Sequence, residues 1–410
     1  MDLRYSAEYE AFREEVREFL RENWTEEDRA ATAAIADERG AMLGAVHRTD
    51  ERATAFRLRA IERGYLYRHI PKRYGGSEQP PDPLKATIVA EEFRRAKAPH
   101  EVVGQGPSML VPTLLEHGTE EQKQRFIRDT ILGKIVWCQG YSEPNAGSDL
   151  ASLRTRAELD GDFWVVTGHK IWTSDAHRAD WMFCLVRTEP DKPRHEGITY
   201  LLVDMKSPGI TVRPLREMTG SATFNEVFLD HVRVPVANTV GKRGQGWIVS
   251  RSTLKHERAL IGGSFMNRRI FDGLVAIAAV TTLRGRPAIE DPGIQERLAE
   301  LEGWLRASEC HEYRLLTMSA RGEEPGLASM VTKLYGTQLN YRLTKLAMDI
   351  LGDRGLLAPG EKAAPAEGMF VTAYMWSLGL LIAGGTANIQ RNIVAERGLG
   401  LPRDPATMRS

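Results

Sequence analysis

Between Trp137 and Gly246 the chain stops reading as helix and starts reading as strand, and this change of period constrains the fold more than any other feature. Before it, Phe12, Val16, Phe19 and Leu20 recur at helical spacing behind Ser6, a residue suited to an N-cap. Thr119, with Gln122 three positions on, spells a capping box ahead of Phe126 and Ile127. In the central stretch, DFWVVTGHKIW, WMFCLVR, ITYLLVDM, ITVRPL and NEVFLDHVRV are β-branched and aromatic runs divided by Gly, Pro, Asp and Asn. Beyond Trp247 helical spacing returns, broken at RGRPAIEDPG, GEEPG and LLAPGEKAAP. This order predicts an α+β chain with an all-helical domain at 1–136, a β domain at 137–246 and a helical bundle at 247–410.

Bulk properties remove several classes of function. Lys plus Arg and Asp plus Glu each number 55, so the net charge is zero and neither nucleic acid nor an anionic membrane surface is the expected partner. The amino-terminal MDLRYSAEYEAFREEVREFL is charged throughout, without an apolar signal core. No uncharged apolar run reaches about eighteen residues, so no membrane span is expected. Cys138, Cys184 and Cys310 lie far apart and are expected as buried thiols in a reducing cytoplasm, not as a disulfide or zinc site. GKRGQG at 241–246 has the wrong spacing for a dinucleotide loop, and Walker, GxSxG and HExxH patterns are missing. Nicotinamide, nucleotide-hydrolase, α/β-hydrolase and metal readings are thereby disfavoured.

YSEPNAGSDLASL (141–153) and GHKIWTSDAHRADW (168–181) read singly as a loop and as a strand with a turn. Together, inside a β domain flanked by helices, they closely resemble two signatures of the acyl-CoA dehydrogenase family, T/S-E-P-x-A-G-S-D and G-x-K-x-W-(I/T)-(T/S)-N. PKRYGGSEQ, GTEEQKQRF, FNEVFLDHVRVP and GGTANIQRNIVAERGLGLP extend the resemblance along nearly the whole chain in the right order. It implies a helical N-terminal domain, a middle β barrel and a C-terminal four-helix bundle. It further implies FAD, an acyl-CoA substrate, electron-transfer flavoprotein or a similar acceptor, and a homo- or hetero-oligomer, dimeric or tetrameric.

The resemblance also assigns residues. Ser142 and Ser174 take the two hydroxyl positions facing the isoalloxazine, beside Tyr141 and Thr173, and Trp172 lies against the ring. Such donors suit a flavin, whose N1–C2=O region gains negative charge on reduction. Gly147 would let the backbone approach the pyrophosphate, Ser148 would bond phosphate or the substrate's pantetheine arm, and Asp175 stands where asparagine is usual. Arg284 and Gln295 match the adenine-side pattern, but Pro287 replaces its phenylalanine. Asp353 replaces a glycine of a later pair, an unwelcome charge beside a pyrophosphate. Thr386 and Asn388 suit the flavin's phosphate and ribityl end.

The base is the remaining question. In IAGGTANIQ, Gly384 occupies the position where many members carry the glutamate that removes the α-proton. Other branches, among them isovaleryl-CoA and long-chain enzymes, carry it on an earlier helix in an L-x-x-E-R pattern. LKHERALIGG matches that pattern with Glu257 and Arg258, which makes Glu257 the expected base and Arg258 a substrate contact. A helical glutamate is more often half of a structural ion pair, but its neighbour Arg258 does not face it. Glycine at 384 leaves space for a branched or bulky acyl group. Two other readings stand: a flavin oxidase or monooxygenase on the same fold, and a degenerate subunit that completes a partner's site.

Overall fold

The computed structural model describes residues 5–33, 50–260 and 262–402. Helices α1 (Ala7–Asn23), α2 (Glu26–Ala33), α3 (Glu51–Glu62), α4 (Pro83–Arg95), α5 (Val111–His117) and α6 (Glu120–Ile131) precede the first strand. The α1 stripe is buried at Val16, Phe19 and Leu20 as its spacing predicts. Phe19 meets Tyr65 at 5.1 Å, Phe56 at 5.7 Å and Phe93 at 6.5 Å between ring centroids, so aromatic packing ties α1, α3 and α4 together. The capping box at the start of α6 forms both reciprocal bonds. Ser6 departs from expectation: it holds the N-cap position of α1 but its hydroxyl makes no capping bond, and Glu8 and Glu10 in the first turn supply the favourable charge instead.

The central stretch folds as strands β1 (Trp137–Gly140), β2 (Arg156–Asp160), β3 (Phe163–Lys170), β4 (Trp181–Arg187), β5 (Ile198–Asp204), β6 (Ile210–Pro214), β7 (Asn225–Pro235) and β8 (Thr239–Val240). They form one sheet ordered β6-β7-β3-β2-β4-β5-β8, with β1 parallel to β4. Strands β4 and β5 are apolar without alternation because both of their faces are covered. Phe183, Leu185, Tyr200 and Leu202 join the core of the preceding helices, while Met182, Cys184, Leu201 and Val203 pack with Trp164, Val166 and Val232 inside the sheet domain.

Helix α7 (Gly246–Leu260) follows, and the chain divides into two units, one ending at His256 and the other beginning at Glu257. In the second unit α8 (Ser264–Val280), α9 (Pro292–Ala320), α10 (Gly326–Leu351) and α11 (Met369–Leu380) share a core that includes Leu274, Leu305, Leu339, Leu343 and Phe370. The hairpin β9 (Thr282–Leu283) and β10 (Arg286–Pro287) separates α8 from α9, and α12 (Ala387–Ile393) lies near the carboxy-terminus. The three predicted breaks in helical periodicity fall between these helices. This is the expected architecture of a helical part, a β domain and a helical bundle.

One cysteine corrects the sequence reading. Cys138 and Cys184 are buried, but Cys310 is exposed, because it falls off the apolar stripe that α9 turns toward its neighbours. Among the described residues no helix is long and apolar enough to cross a membrane, and no cluster of His, Cys, Asp and Glu is placed to hold a metal.

Candidate active site

The two signature stretches meet through a buried ion pair. Lys170, fully buried at the end of β3, donates to the Glu143 carboxylate at 2.8 Å and to the Tyr141 carbonyl at 3.2 Å. Glu143 also accepts from the backbone N–H groups of Arg154 at 2.6 Å and Thr155 at 2.9 Å. Burial alone would raise the Glu143 carboxyl, but the Lys170 ammonium and these donors hold it below its ordinary value. The Ile171 N–H then donates to the Ser142 carbonyl at 2.9 Å, which sets Ser142 one strand-width from the residue preceding Trp172. The ring of Tyr141 is buried between Phe183 and Tyr200, so its backbone is what remains to offer a ligand.

After β3 the backbone takes an unusual course. Trp172 and Asp175 both adopt left-handed dihedrals, with φ of 58° and 56°. Such conformations cost a non-glycine residue of order 1–3 kcal/mol each and gather at ligand sites. Asn225 holds the turn: its carbonyl accepts from the Thr173 N–H at 3.1 Å and its side-chain amide donates to the Thr173 carbonyl at 2.9 Å. Trp172 remains 58% exposed, touching Phe224 edge-on at 5.9 Å. Ser142 and Ser174 are half-buried, and the Thr173 hydroxyl is buried without a hydrogen-bond partner among the described residues. Gly147 and Ser148 are exposed, and a Cβ built on Gly147 would meet nothing within 4 Å.

In the second unit, Gly384 and Gly385 both have positive φ, 60° and 93°. The glycine pair is therefore demanded by the backbone itself. Gln390 donates to the Gly384 carbonyl at 3.1 Å, and the Thr386 hydroxyl caps α12 by accepting from the Ile389 N–H at 3.3 Å. Asn388 is exposed and accepts from Arg391 at 3.1 Å. The Gly385 carbonyl accepts from the Lys333 ammonium on α10 at 2.8 Å. Lys333 is 2% exposed, and burial pushes its ammonium below the ordinary value, an effect that the charge of half-buried Glu257 opposes only in part. The side chain of Arg258 lies outside the described residues.

Arg284 and Gly285 form the two-residue tip of the β9–β10 hairpin, with φ of 52° and 82°, and Arg284 is exposed. Pro287 does not disrupt it, since Pro287 pairs with Thr282 and the Ala288 N–H reaches the Thr281 carbonyl at 2.7 Å. Gln295 is exposed in the first turn of α9, which Asp291 caps through Gly293 and Ile294. Asp353 is exposed in the short 3-10 segment after α10.

Sequence reasoning missed Lys333 and the Lys170–Glu143 pair. For Lys333 a signal was present: it opens the stripe Lys333, Gly336, Thr337 and Asn340 on the buried face of α10. A lysine at the head of a stripe of small residues invites the question of what its charge meets.

Three family models match the chain: the N-terminal, middle and C-terminal domains of acyl-CoA dehydrogenase, over residues 6–134, 138–232 and 244–399. Acyl-CoA dehydrogenase IpdE1 of Mycobacterium tuberculosis is 40% identical over 401 residues, spanning 96% of this chain and 98% of the relative. The chain belongs to the acyl-CoA dehydrogenase family. Among solved structures, the ChsE4–ChsE5 complex of M. tuberculosis aligns with a TM-score of 0.76 at 30% identity, covering 98% of this chain and 100% of that one. The Tcur3481–Tcur3483 steroid ACAD aligns with a TM-score of 0.77, also at 30% identity and with the same coverage.

FAD is the cofactor of this family, and the residues fit it on the flavin side. Trp172 leaves a ring face open on a strained backbone, and Gly147 is a glycine that neither its dihedrals nor packing within the chain requires. An acyl-CoA dehydrogenase therefore has, in this chain, residues suited to holding the isoalloxazine and the approach to the pyrophosphate.

Proposed function

We propose that this acyl-CoA dehydrogenase removes hydrogen across the α,β bond of an acyl-CoA thioester, with Glu257 as the base and electrons passing to electron-transfer flavoprotein or a similar acceptor. The boundaries 1–136, 137–246 and 247–410 are proposed as its three domains. The observation that carries the reading is Lys333, whose ammonium is shared between the Gly385 carbonyl and the field of Glu257. This supports reading Glu257 as close to the glycine loop, where the resembling enzymes that lack an earlier glutamate keep their base.

When bound, FAD supplies the acceptor for the hydride leaving the β-carbon. Glu257 takes the α-proton. Ser142 and Ser174 would present hydroxyls to the flavin and Trp172 would lie against it, with Gly147 and Ser148 where the pyrophosphate or the pantetheine arm would approach. Arg284, Gln295, Thr386 and Asn388 are proposed as its remaining contacts, with Arg258 reserved for the substrate. An apolar acyl chain that displaces water from around Glu257 raises the carboxyl's affinity for the proton it must accept. Gly384 puts no side chain beside the substrate, which favours a branched or bulky acyl group, and the description of one relative as a steroid ACAD supports the same class.

Glu257→Gln keeps the shape of the side chain but cannot take a proton. The variant is expected to fold, retain FAD and bind acyl-CoA, while flavin reduction under anaerobic conditions slows by 10²–10⁴-fold or more, roughly the contribution of a general base. Reduction that survives within about tenfold, near 1.4 kcal/mol in the barrier, would return Glu257 to a structural role. A panel from butyryl-CoA to cholan-24-oyl-CoA, read by flavin bleaching, identifies the acyl class.

A second reading has its own support. Asp353 stands exposed at a position expected to approach a pyrophosphate, and the two solved structures above carry paired names, the ChsE4–ChsE5 complex and Tcur3481–Tcur3483. On that reading the chain completes its cofactor site with a different subunit.

A further inference from the structure

Gly262, just beyond α7, packs closely on α10. A Cβ on Gly336 would collide with the Gly262 carbonyl, and one on Gly262 would press on the Thr332 carbonyl and the Lys333 backbone. Asn267 donates to the Gly336 carbonyl at 3.0 Å, and Asn340 donates to Asn267 at 3.0 Å. Gly262, five residues after Glu257, is therefore seated on the turn of α10 that carries Lys333. Lys333 has lost nearly all of its water, and an ammonium in that state needs partners. The Gly385 carbonyl supplies one of its donors with an acceptor, and Glu257 supplies the opposite charge.

Glu396 and Arg397 lie on Val394–Gly398, which packs on α10, and several other charged groups on the surrounding elements have partners of their own. Glu312 on α9 accepts from the N–H and hydroxyl of Ser264, both at 2.6 Å, and Arg268 on α8 pairs with Glu302 and Glu309. His311 bonds the Ala328 carbonyl at 2.8 Å and lies 3.4 Å from the Thr332 hydroxyl, while Arg391 on α12 is taken by Asn388.

We propose that Lys333 is a positioning residue of the reaction, which couples the base to the glycine loop and keeps the Glu257 carboxylate charged until the acyl chain arrives. The inference rests on Glu257 being the base. Its physical content is that one ammonium serves two purposes. As a donor it fixes the Gly385 carbonyl, and with it the left-handed Gly384–Gly385 backbone that borders the acyl group. As a cation it favours the charged form of a half-buried carboxylate, while its own burial disfavours the ammonium. Once the α-proton has been taken, Glu257 is neutral and Lys333 retains the carbonyl bond, so the loop does not follow the proton.

The test uses FAD-loaded protein and the variants Lys333→Met, Lys333→Gln and Lys333→Arg. Two rates are measured from pH 6 to pH 9 with the best thioester of the panel: anaerobic flavin reduction, and exchange of the α-hydrogens with solvent deuterium followed by mass spectrometry. The exchange rate reads proton removal without the redox step. With the cation gone, Lys333→Met is expected to lose at least about tenfold in both rates at pH 6 and to recover toward pH 9, which moves the acid limb to higher pH. Lys333→Gln keeps a donor for Gly385 and should show the same displaced limb, so it decides the matter should the Met variant fail to fold. Lys333→Arg restores the charge and should return the limb toward that of the unmodified enzyme. Neutral variants with the pH profile and rates of the unmodified enzyme overturn the inference, provided Glu257→Gln has lost reduction. If Glu257→Gln itself retains reduction, it is the base assignment that fails, and the two failures are thereby told apart.

Discussion

Trp172 combines a left-handed backbone with a ring that is more than half open. Its ring meets that of Phe224 edge-on, and the adjoining turn is held by Asn225. Trp172→Ala is expected to weaken FAD retention by ~1 kcal/mol, about fivefold, as measured by dialysis or by the fluorescence of released flavin. Unchanged retention would make Trp172 a surface residue. Lys170 is a different case, since its charge is buried with that of Glu143. Lys170→Met should cost about 3–5 kcal/mol in urea unfolding because it strands a buried carboxylate. The sign with pH follows from Glu143, whose carboxyl is held below its ordinary value in the fold. Its stabilising contribution is complete above the unfolded carboxyl range near 4.5 and is lost as pH falls through the lower folded value. In the Lys170→Met variant this acid-side loss should shrink. At Gly384 the positive φ limits what a transplanted base can do. Gly384→Glu in the Glu257→Gln background is expected to restore reduction only in part, since the new side chain brings about 1–3 kcal/mol of strain. Trp172, Ser142 and Ser174 were legible as residues because they sit in quoted motifs. The distortion at Trp172 was not, because it comes from Asn225, a residue far along the chain.

At the scale of elements, the strands were the easiest part to read. WMFCLVR and ITYLLVD show no apolar–polar alternation along their central residues because each lies between two cores, and a run of that kind says so without help from its neighbours. The Thr119–Gln122 box was equally plain, and Thr119→Ala is expected to cost ~1 kcal/mol, seen as a lower Tm. Gly336 lay beyond reach. Nothing in KLYGTQL requires glycine, and the demand arises only when the Gly262 turn lands on α10. Gly336→Ala should destabilise the second unit by about 1–3 kcal/mol and also slow flavin reduction, because it displaces the segment that carries Glu257. A drop in Tm with an unchanged rate would separate packing from placement.

For the whole molecule, the division of the proposed cofactor contacts matters most. Ser142, Trp172 and Ser174 belong to the unit ending at His256, whereas Arg284, Gln295 and Asp353 belong to the unit beginning at Glu257. If Asp353 repels a pyrophosphate, the chain expressed alone should carry less than one FAD per chain, and Asp353→Gly should raise that ratio. Stoichiometric FAD in the unmodified chain would remove the two-subunit reading. How chains assemble was not legible in the sequence, because self-association depends on surfaces that single-chain periodicity does not describe. The thiols give access to it. Burial pushes the thiol of Cys138 well above its ordinary value and that of Cys184 up to about 11, so neither forms a thiolate readily at neutral pH. Cys310 stands exposed on α9, so a maleimide should place one spin label on each chain without any engineering. Pulsed dipolar spectroscopy then counts the copies in an assembly and spaces them, and a partner that covers α9 announces itself as slowed alkylation.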